Sequence, residues 1–123
     1  MYNFDYVKPG SLAEAVEALK ADEAVALGGG QTLIPTLKQR LASPSVLVDL
    51  GGCLDSGVLV VRDGDCQIGG GATHATVAAS QHAPKWLRAV AEGIGDPQVR
   101  NRGTIGGSLA NNDPAACYPA AVL

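Results

Sequence analysis

The stretch Ala24-Val-Ala-Leu-Gly-Gly-Gly-Gln-Thr-Leu33 decides how this chain folds. Its first four residues form a short apolar run that stops at three glycines, a pattern typical of a buried strand leading into a turn. A helix is predicted to begin near Thr32, directly after the turn. The stretch therefore predicts a strand, a glycine turn and a helix start in immediate succession.

The residues that follow extend this stretch into a β-α-β unit. Pro35 is tolerated in a first helical turn, and Leu33, Leu37 and Leu41 recur at a spacing that places them on one side of a helix. The run Val46-Leu-Val-Asp-Leu50 has the pattern of another buried strand. Two strands joined by a helix in this way are expected to be parallel.

An earlier helix is predicted over residues 11–21. Ser11-Leu-Ala-Glu14 is a capping box, in which the Ser11 side chain accepts from the Glu14 backbone N–H while the Glu14 carboxylate reaches back. Leu12, Val16 and Leu19 then follow at helical spacing.

Gly51-Gly52 is the predicted boundary between two domains, residues 1–52 and residues 53–123. After it the pattern changes to a hairpin: Val58–Val61, the turn Arg62-Asp-Gly-Asp65, and Cys66–Ile68. The sequence thus predicts an α/β (α+β) protein, with a small parallel β-α-β domain before a mixed, partly antiparallel one.

The rest of the second domain is predicted to alternate short helices and loops. Thr73 or Thr76 can cap a short helix, residues 93–107 are expected to be mostly loop, and residues 114–123 resemble a small-residue helix without a C-cap signal. A helix around Pro84–Glu92 is expected to carry three side chains into the core: Trp86, Leu87 and Val90.

Composition and charge exclude several classes of protein. Of the 123 residues 46% are apolar but only 4% aromatic, so the core must be built from Ala, Val, Leu and Ile. A net charge of -3 gives no reason to expect a nucleic acid or an anionic membrane as partner. No apolar run approaches the ~20 residues that span a bilayer, and the N-terminus lacks a signal-peptide pattern, so a cytoplasmic location is expected.

The cysteines and histidines predict neither a metal site nor a catalytic site. Cys53, Cys66 and Cys117 are odd in number and lack ligand spacing, so free thiols are expected. His74 and His82 have no nucleophile or carboxylate at a meaningful spacing, which favours structural or surface roles.

The glycine clusters carry the functional prediction. Gly28-Gly29-Gly30 can present backbone N–H groups to a phosphate at close range, with the following helix start and the Thr32 hydroxyl facing the same point. The turn lacks a Gly-Lys-Ser/Thr sequence and a strict GxGxxG, so a purely structural connection stays open as the alternative. Gly69-Gly70-Gly71 is predicted to be structural, because no run of hydroxyl and amide residues follows it.

A second candidate cluster, residues 100–114, has more polar character. Gly106-Gly107 is bracketed by the hydroxyls of Thr104 and Ser108 and followed by Asn111, Asn112 and Asp113, which are groups that can hold a diphosphate or a ribose. A surface loop with Asn/Asp turns is the alternative. Arg100 and Arg102 are open between phosphate or subunit binding and solvated loop charges.

Taken together, these motifs resemble the FAD-binding (medium) subunit of molybdenum hydroxylases of the aerobic carbon monoxide dehydrogenase and xanthine dehydrogenase type. The resemblance runs along the whole chain, from Phe4-Asp-Tyr-Val-Lys-Pro9 through Leu27–Pro35 and Ile68–His74 to Val99–Ser108 and Asp113-Pro114-Ala115. It implies a PCMH-type, vanillyl-alcohol-oxidase-like FAD-binding fold, with FAD lying between two subdomains.

The resemblance also implies the residues that hold the cofactor. The first subdomain would contact the pyrophosphate through Ala26, Leu27, Gly28, Gly29, Gly30, Gln31, Thr32 and Leu33. The second would contact FAD through Ile94, Gly103, Thr104, Ile105, Gly106, Gly107, Ser108, Ala110, Asn111 and Asp113. Many relatives carry an acidic residue at the position of Cys117, so Asp113 or Asn111 would have to replace its hydrogen bond here.

The function implied is electron transfer within an oxidoreductase. Partner subunits would hold the molybdopterin on a large chain and the [2Fe–2S] clusters on a small one, and this chain would pass electrons through FAD to an external acceptor. Family members continue well beyond residue 123, so the chain is expected to match their N-terminal part. The alternative is a truncated, non-redox nucleotide-binding or subunit-assembly module.

Overall fold

The computed structural model describes residues 1–60 and 62–123 of the chain. The described strands are β1 (Asp5–Val7), β2 (Ala24–Leu27), β3 (Val46–Asp49), β4 (Val58–Val60) and β5 (Cys66–Ile68). The described helices are α1 (Leu12–Ala18), α2 (Leu33–Lys38), α3 (His74–Ala79), α4 (Lys85–Glu92), α5 (Pro97–Arg102), α6 (Ile105–Asn111) and α7 (Cys117–Val122).

The chain forms two compact units, which we call the first unit (Met1–Leu54) and the second unit (Asp55–Leu123). The change of unit lies close to the Gly51-Gly52 pair at which the pattern of the sequence changes. The division into two FAD-binding subdomains stays a prediction.

A parallel three-stranded sheet in the order β1-β3-β2 forms the centre of the first unit. The β2-α2-β3 crossover is the predicted one, and Leu27 of β2 stands opposite Asp49 of β3. Strand β1 was not predicted, because its three residues Asp5–Val7 are all exposed and carry no apolar run. The buried residues of this unit include Leu47 and Val48 of the central strand.

Helix α1 begins as the sequence predicts. Ser11 accepts a hydrogen bond from the Glu14 backbone N–H at 3.2 Å, and the Glu14 carboxylate accepts from the Gly10 N–H at 2.8 Å. The helix is shorter than predicted. Ala15 is its buried residue, whereas Leu12 and Val16 are more than half exposed. Amphipathic spacing identified the helix but not the side that is buried.

Helix α2 also begins where predicted, with Thr32 as its N-cap residue. It ends at Lys38, and Arg40 then adopts a left-handed backbone angle of 57°. Leu37 is buried, but Leu41 lies beyond the end of the helix and is 72% exposed, so its predicted place on the helix side is wrong.

The second unit opens with the predicted antiparallel hairpin of β4 and β5. Asp63 and Gly64 have positive φ values of 63° and 81°, as the Asp-Gly pair of the predicted turn favours. Val61, which was predicted to belong to the first strand, lies outside the described residues.

Helices α3 and α4 follow the hairpin. Thr73 is the N-cap of α3, where its side chain accepts from the Thr76 N–H at 3.1 Å, so the first of the two candidate caps is correct. In α4, Leu87 is 5% exposed but Trp86 is 54% exposed. The predicted core position of Trp86 is wrong because the buried face of α4 runs through Leu87 and Ala91.

Residues 93–107, predicted to be mostly loop, contain the whole of helix α5 and the start of helix α6, so this prediction is wrong. Asp96 caps α5 by accepting from the Val99 N–H at 2.9 Å, and Pro97 occupies the first turn. Thr104 then caps α6 by accepting from the Gly107 N–H at 3.0 Å. An Asp-Pro pair and a Thr cap are helix-start signals that the high glycine content obscured. The last helix, α7, begins at Cys117, three residues after the predicted start at Pro114.

A buried pair of rings lies in the core of the second unit. Tyr118 of α7 is fully buried, His74 of α3 is 5% exposed, and His74 Nδ1 lies 3.2 Å from the Tyr118 hydroxyl. Burial lowers the pKa of His74 and raises the pKa of Tyr118 to about 12. A neutral His74 can therefore accept the Tyr118 O–H. The rest of this core consists of small aliphatic side chains, as the composition predicts.

The lowered pKa of His74 predicts that acid destabilises this unit. At pH 7.5 and above His74 is almost entirely neutral in both the folded and the unfolded state. As the pH falls below 6.5 the unfolded chain takes up the proton first, so the free energy of unfolding falls, by at most about 1.4 kcal/mol per pH unit from this group. Urea unfolding between pH 7.5 and 5 should show a smaller loss for His74→Gln than for wild type. The exposed His82→Gln serves as control, and equal slopes for wild type and His74→Gln would contradict the assignment.

Among the helices of the described residues, none combines the length and the apolar character needed to span a membrane.

Candidate functional site

The first glycine turn directly follows strand β2, and its backbone N–H groups make no hydrogen bond with the described part of the protein. Among the described residues, no protein acceptor is present for the backbone N–H groups of residues 28–33, whereas the next N–H, that of Ile34, donates to the Gly30 carbonyl at 3.0 Å. Gly30 has a φ of 75°, which reverses the chain direction at the end of the turn. A run of consecutive free N–H groups with one left-handed residue forms a concave anion-binding surface.

The side chains of Gln31 and Thr32 lie at this turn and leave its N–H groups without an acceptor. Gln31 donates from Nε2 to the Gly29 carbonyl at 3.2 Å, which fixes the turn from within. The Thr32 side chain makes no cap hydrogen bond in α2, and Thr32 is exposed, so its hydroxyl can serve as the predicted extra donor. Because α2 is only six residues long, the N–H groups of the loop contribute more to anion binding than the dipole of this helix does.

A polar cluster lies at the same carboxyl end of the sheet. Asp49 accepts a hydrogen bond from the Tyr6 hydroxyl and another from the Gly51 N–H at 2.9 Å, and Lys8 Nζ lies 3.9 Å from its carboxylate. The hydrogen bond to Asp49 raises the pKa of Tyr6. Sequence reasoning missed this cluster, since Asp49 sits inside an apolar run and its partners come from the unpredicted strand β1. It ties β1 to the turn that follows β3.

The Gly106-Gly107 pair differs from the first glycine turn because its N–H groups donate to other groups of the protein. The Gly106 N–H donates to the Gly70 carbonyl at 3.1 Å, and the Gly107 N–H donates to Thr104 Oγ1 at 3.0 Å. Ile105 and Ser108 likewise donate to the carbonyls of Ala72 and Thr104. Gly106-Gly107 is thus the first turn of helix α6, and the hydroxyl hydrogen of Thr104 remains free to donate outward because its oxygen only accepts from Gly107.

The polar residues that follow the glycine pair lie at the end of α6. Asn111 is exposed in the last turn, and Asn112 closes the helix in the left-handed region with a φ of 52°. Asp113 accepts from the Ala115 N–H at 2.9 Å, which leaves its second carboxylate oxygen available. Cys117 is exposed at the start of α7.

The remaining predicted contacts vary in exposure. Gly103 is buried, and a Cβ there would lie 2.6 Å from His74 Nε2, so glycine is required for packing. Ile94 packs against the core of the second unit, while Ala110 is exposed. Arg100 donates through Nη1 to the carbonyls of Ile94 and Gly95, each at 3.1 Å, so it holds its own loop together, a role that neither of the two alternatives described.

Residues 2–123 match the family described as the FAD binding domain in molybdopterin dehydrogenase. The chain belongs to this family. The predicted family resemblance is therefore confirmed.

Curated relatives in this FAD-binding family include the medium subunits of hydroxylases and dehydrogenases. The nicotine 6-hydroxylase medium subunit of Paenarthrobacter nicotinovorans is 39% identical over 123 residues, 96% of this chain and 43% of the relative. The carbon monoxide dehydrogenase medium chain of Afipia carboxidovorans is 42% identical over 123 residues, again 96% and 43%. These relatives are subunits of multi-subunit oxidoreductases. The chain spans less than half the length of the curated relatives that it matches.

Solved structures of the FAD-binding family share the fold. The crystal structure of a cyanide-inactivated Cu,Mo-CO dehydrogenase matches 95% of this chain and 43% of its own with a TM-score of 0.87 at 41% identity. Carbon monoxide dehydrogenase from Hydrogenophaga pseudoflava, in a form that lacks the Mo-pyranopterin moiety, matches 98% and 44% with a TM-score of 0.90 at 35% identity. The predicted fold class, mixed α/β with a small parallel sheet, is confirmed.

Proposed function

We propose that this chain binds FAD and grips its pyrophosphate with the first glycine turn. The observation that carries the proposal is the run of backbone N–H groups from residue 28 to residue 33, for which the described residues offer no acceptor. A pyrophosphate presents several anionic oxygens at a spacing that consecutive N–H groups can meet. The donors of the first unit therefore fit the group.

The second unit is proposed to contribute side chains more than backbone N–H groups. The hydroxyls of Thr104 and Ser108 and the amide of Asn111 are donors that the backbone bonding of α6 leaves in place. Asp113 can accept from a sugar hydroxyl through its second oxygen. In this proposal Gly103 and Ile94 act from within the second unit, where both are packed, by supporting its contacts with FAD. Ala26 and Leu27 of the first unit, and Ile105 and Ala110 of the second, stay predicted contacts.

The proposed role of the bound cofactor is electron transfer in a molybdenum hydroxylase. FAD would accept electrons from [2Fe–2S] clusters of a small partner subunit, after oxidation of a substrate at the molybdopterin of a large one, and pass them to an external acceptor. The family membership and the medium-subunit relatives support this proposal. The cytoplasmic location stays a prediction.

The first test compares FAD with riboflavin, which lacks both the pyrophosphate and the adenosine. We expect the purified chain to bind FAD near one equivalent, measured by flavin fluorescence quenching and by absorbance after desalting. Riboflavin should bind at least about tenfold more weakly, because the N–H groups of the first turn then have no anion to hold and the polar groups of the second unit have no sugar to contact. Equal affinity for the two flavins would contradict the phosphate grip, and a chain that takes up neither would contradict FAD binding itself.

A further inference from the structure

The Gly69-Gly70-Gly71 turn has no role in the proposed function, although the backbone packs closely on both sides of it. On one side the Gly69 N–H donates to the Gly57 carbonyl at 2.9 Å and the Gly71 N–H to the Asp55 carbonyl at 2.8 Å. A Cβ on Gly69 would lie 2.2 Å from the Asp55 oxygen. The turn is therefore seated directly on the chain that leads into β4.

On its other side the same turn carries the first turn of helix α6. The Gly106 N–H donates to the Gly70 carbonyl at 3.1 Å, and a Cβ on Gly106 would lie 2.4 Å from that oxygen and 2.8 Å from the Gly70 Cα. Next to it the Ile105 N–H donates to the Ala72 carbonyl at 2.9 Å. Both atoms that a Cβ on Gly106 would meet belong to the backbone, so the rotation of a side chain cannot relieve the clash.

We propose that residues 69–71 act as a platform that positions the first turn of α6, and that Gly106 is a positioning residue whose N–H serves Gly70 rather than the phosphate. The inference rests on the proposed function, since it concerns the turn that faces the cofactor. Under this inference Gly106 is required for close packing on the platform. The contacts of α6 with the phosphate then come from the hydroxyls of Thr104 and Ser108.

The direct test is the scalar coupling across the hydrogen bond between the Gly106 amide nitrogen and the Gly70 carbonyl carbon, measured by NMR on the labelled chain. We expect this coupling without ligand, and we expect it to persist when FAD is added while the amide signals of Gly28, Gly29 and Gly30 shift. Absence of the coupling without ligand, or its loss on FAD binding, would overturn the inference. If FAD produces no shift anywhere, the proposed function fails, while the ligand-free coupling still tests the platform.

A variant pair tests the consequence for binding. Gly106→Ala is expected to weaken FAD binding about tenfold, because α6 must move off the platform. Gly93→Ala is the matched control, since its Cβ would meet nothing closer than 3.6 Å, and it should bind as wild type does. The ³¹P signals of bound FAD should shift in Gly106→Ala alone, which a loss of stability without displacement would not produce. Wild-type affinity and ³¹P signals in Gly106→Ala would overturn the positioning role, and if this variant fails to fold the NMR coupling decides.

Discussion

Replacing Gly30 by alanine is expected to weaken FAD binding by up to about 30-fold, because the left-handed region costs a residue with a Cβ about 1–2 kcal/mol. Gly30 has a φ of 75°, and its Cβ would lie 2.6 Å from the Ile34 Cδ1 atom. If the chain relaxes to a negative φ, the path of the backbone through the turn changes, and the directions of its N–H groups change with it. The dissociation constant from a fluorescence titration measures the effect.

Two further variants separate the backbone cause from the steric one. The shortest contact of the new methyl group is with the end of the flexible Ile34 side chain, so Gly30→Ala combined with Ile34→Val removes that contact but keeps the unfavourable φ. The contacts with Ile34 Cγ1 at 3.1 Å and Leu27 Cδ1 at 3.3 Å can be relieved by small side-chain shifts. We expect the double variant to remain as weak as Gly30→Ala. Gly10→Ala, whose Cβ would lie 3.5 Å from Glu14 Oε2, is the control and should bind normally. Full recovery in the double variant would show that crowding, and not the backbone angle, disables the turn.

The β-α-β unit could be predicted from sequence because its signals are local. Ala24–Leu27 and Val46–Asp49 are uninterrupted apolar or nearly apolar runs, and glycines follow both. Strand β1 gave no such signal, since an exposed edge strand is held mainly by the hydrogen bonds that β3 offers it. Its presence depends on a partner that lies far along the chain.

The burial of individual side chains could not be predicted because it depends on neighbours in space. The sequence shows that helix α4 is amphipathic. Helices α3 and α7, which pack against α4, decide whether Trp86 or the adjacent Leu87 faces the core. Tyr118 illustrates the converse case. Nothing in the small-residue segment around it indicates that it is the largest fully buried side chain described in the chain.

The candidate site shows the same limit at the level of single atoms. The two glycine clusters look alike in sequence, and both were predicted to help hold a diphosphate, the first through its N–H groups and the second through the hydroxyl and amide groups around it. The first leaves its N–H groups free and the second donates them to Gly70 and Thr104, which can be known only from the path of the chain. Composition predicts a glycine turn, but the hydrogen-bond partners decide what the turn can hold.

Replacing Tyr118 by alanine is expected to cost about 3–5 kcal/mol of unfolding free energy, the usual range for removing a buried aromatic side chain. Tyr118 is fully buried against His74, with ring centres 5.3 Å apart, in a core of otherwise small side chains. Such a loss is a large part of the stability of a small domain, about 5–15 kcal/mol, and equals it at the lower end of that range. Urea or thermal unfolding followed by circular dichroism should show a second unit that is largely unfolded at 37 °C.

Tyr118→Phe separates the ring from its hydroxyl. It keeps the packing and removes only the hydrogen bond to His74 Nδ1, so we expect a cost of about 0.5–1.5 kcal/mol. The exposed Tyr2→Ala is the control and should change stability by less than about 0.5 kcal/mol. If Tyr118→Ala unfolds at the same urea concentration as Tyr2→Ala, Tyr118 does not support the core. If the effects of Tyr118→Phe and His74→Gln add fully in the double variant, the two side chains are not coupled, because neighbours that share a hydrogen bond give non-additive losses.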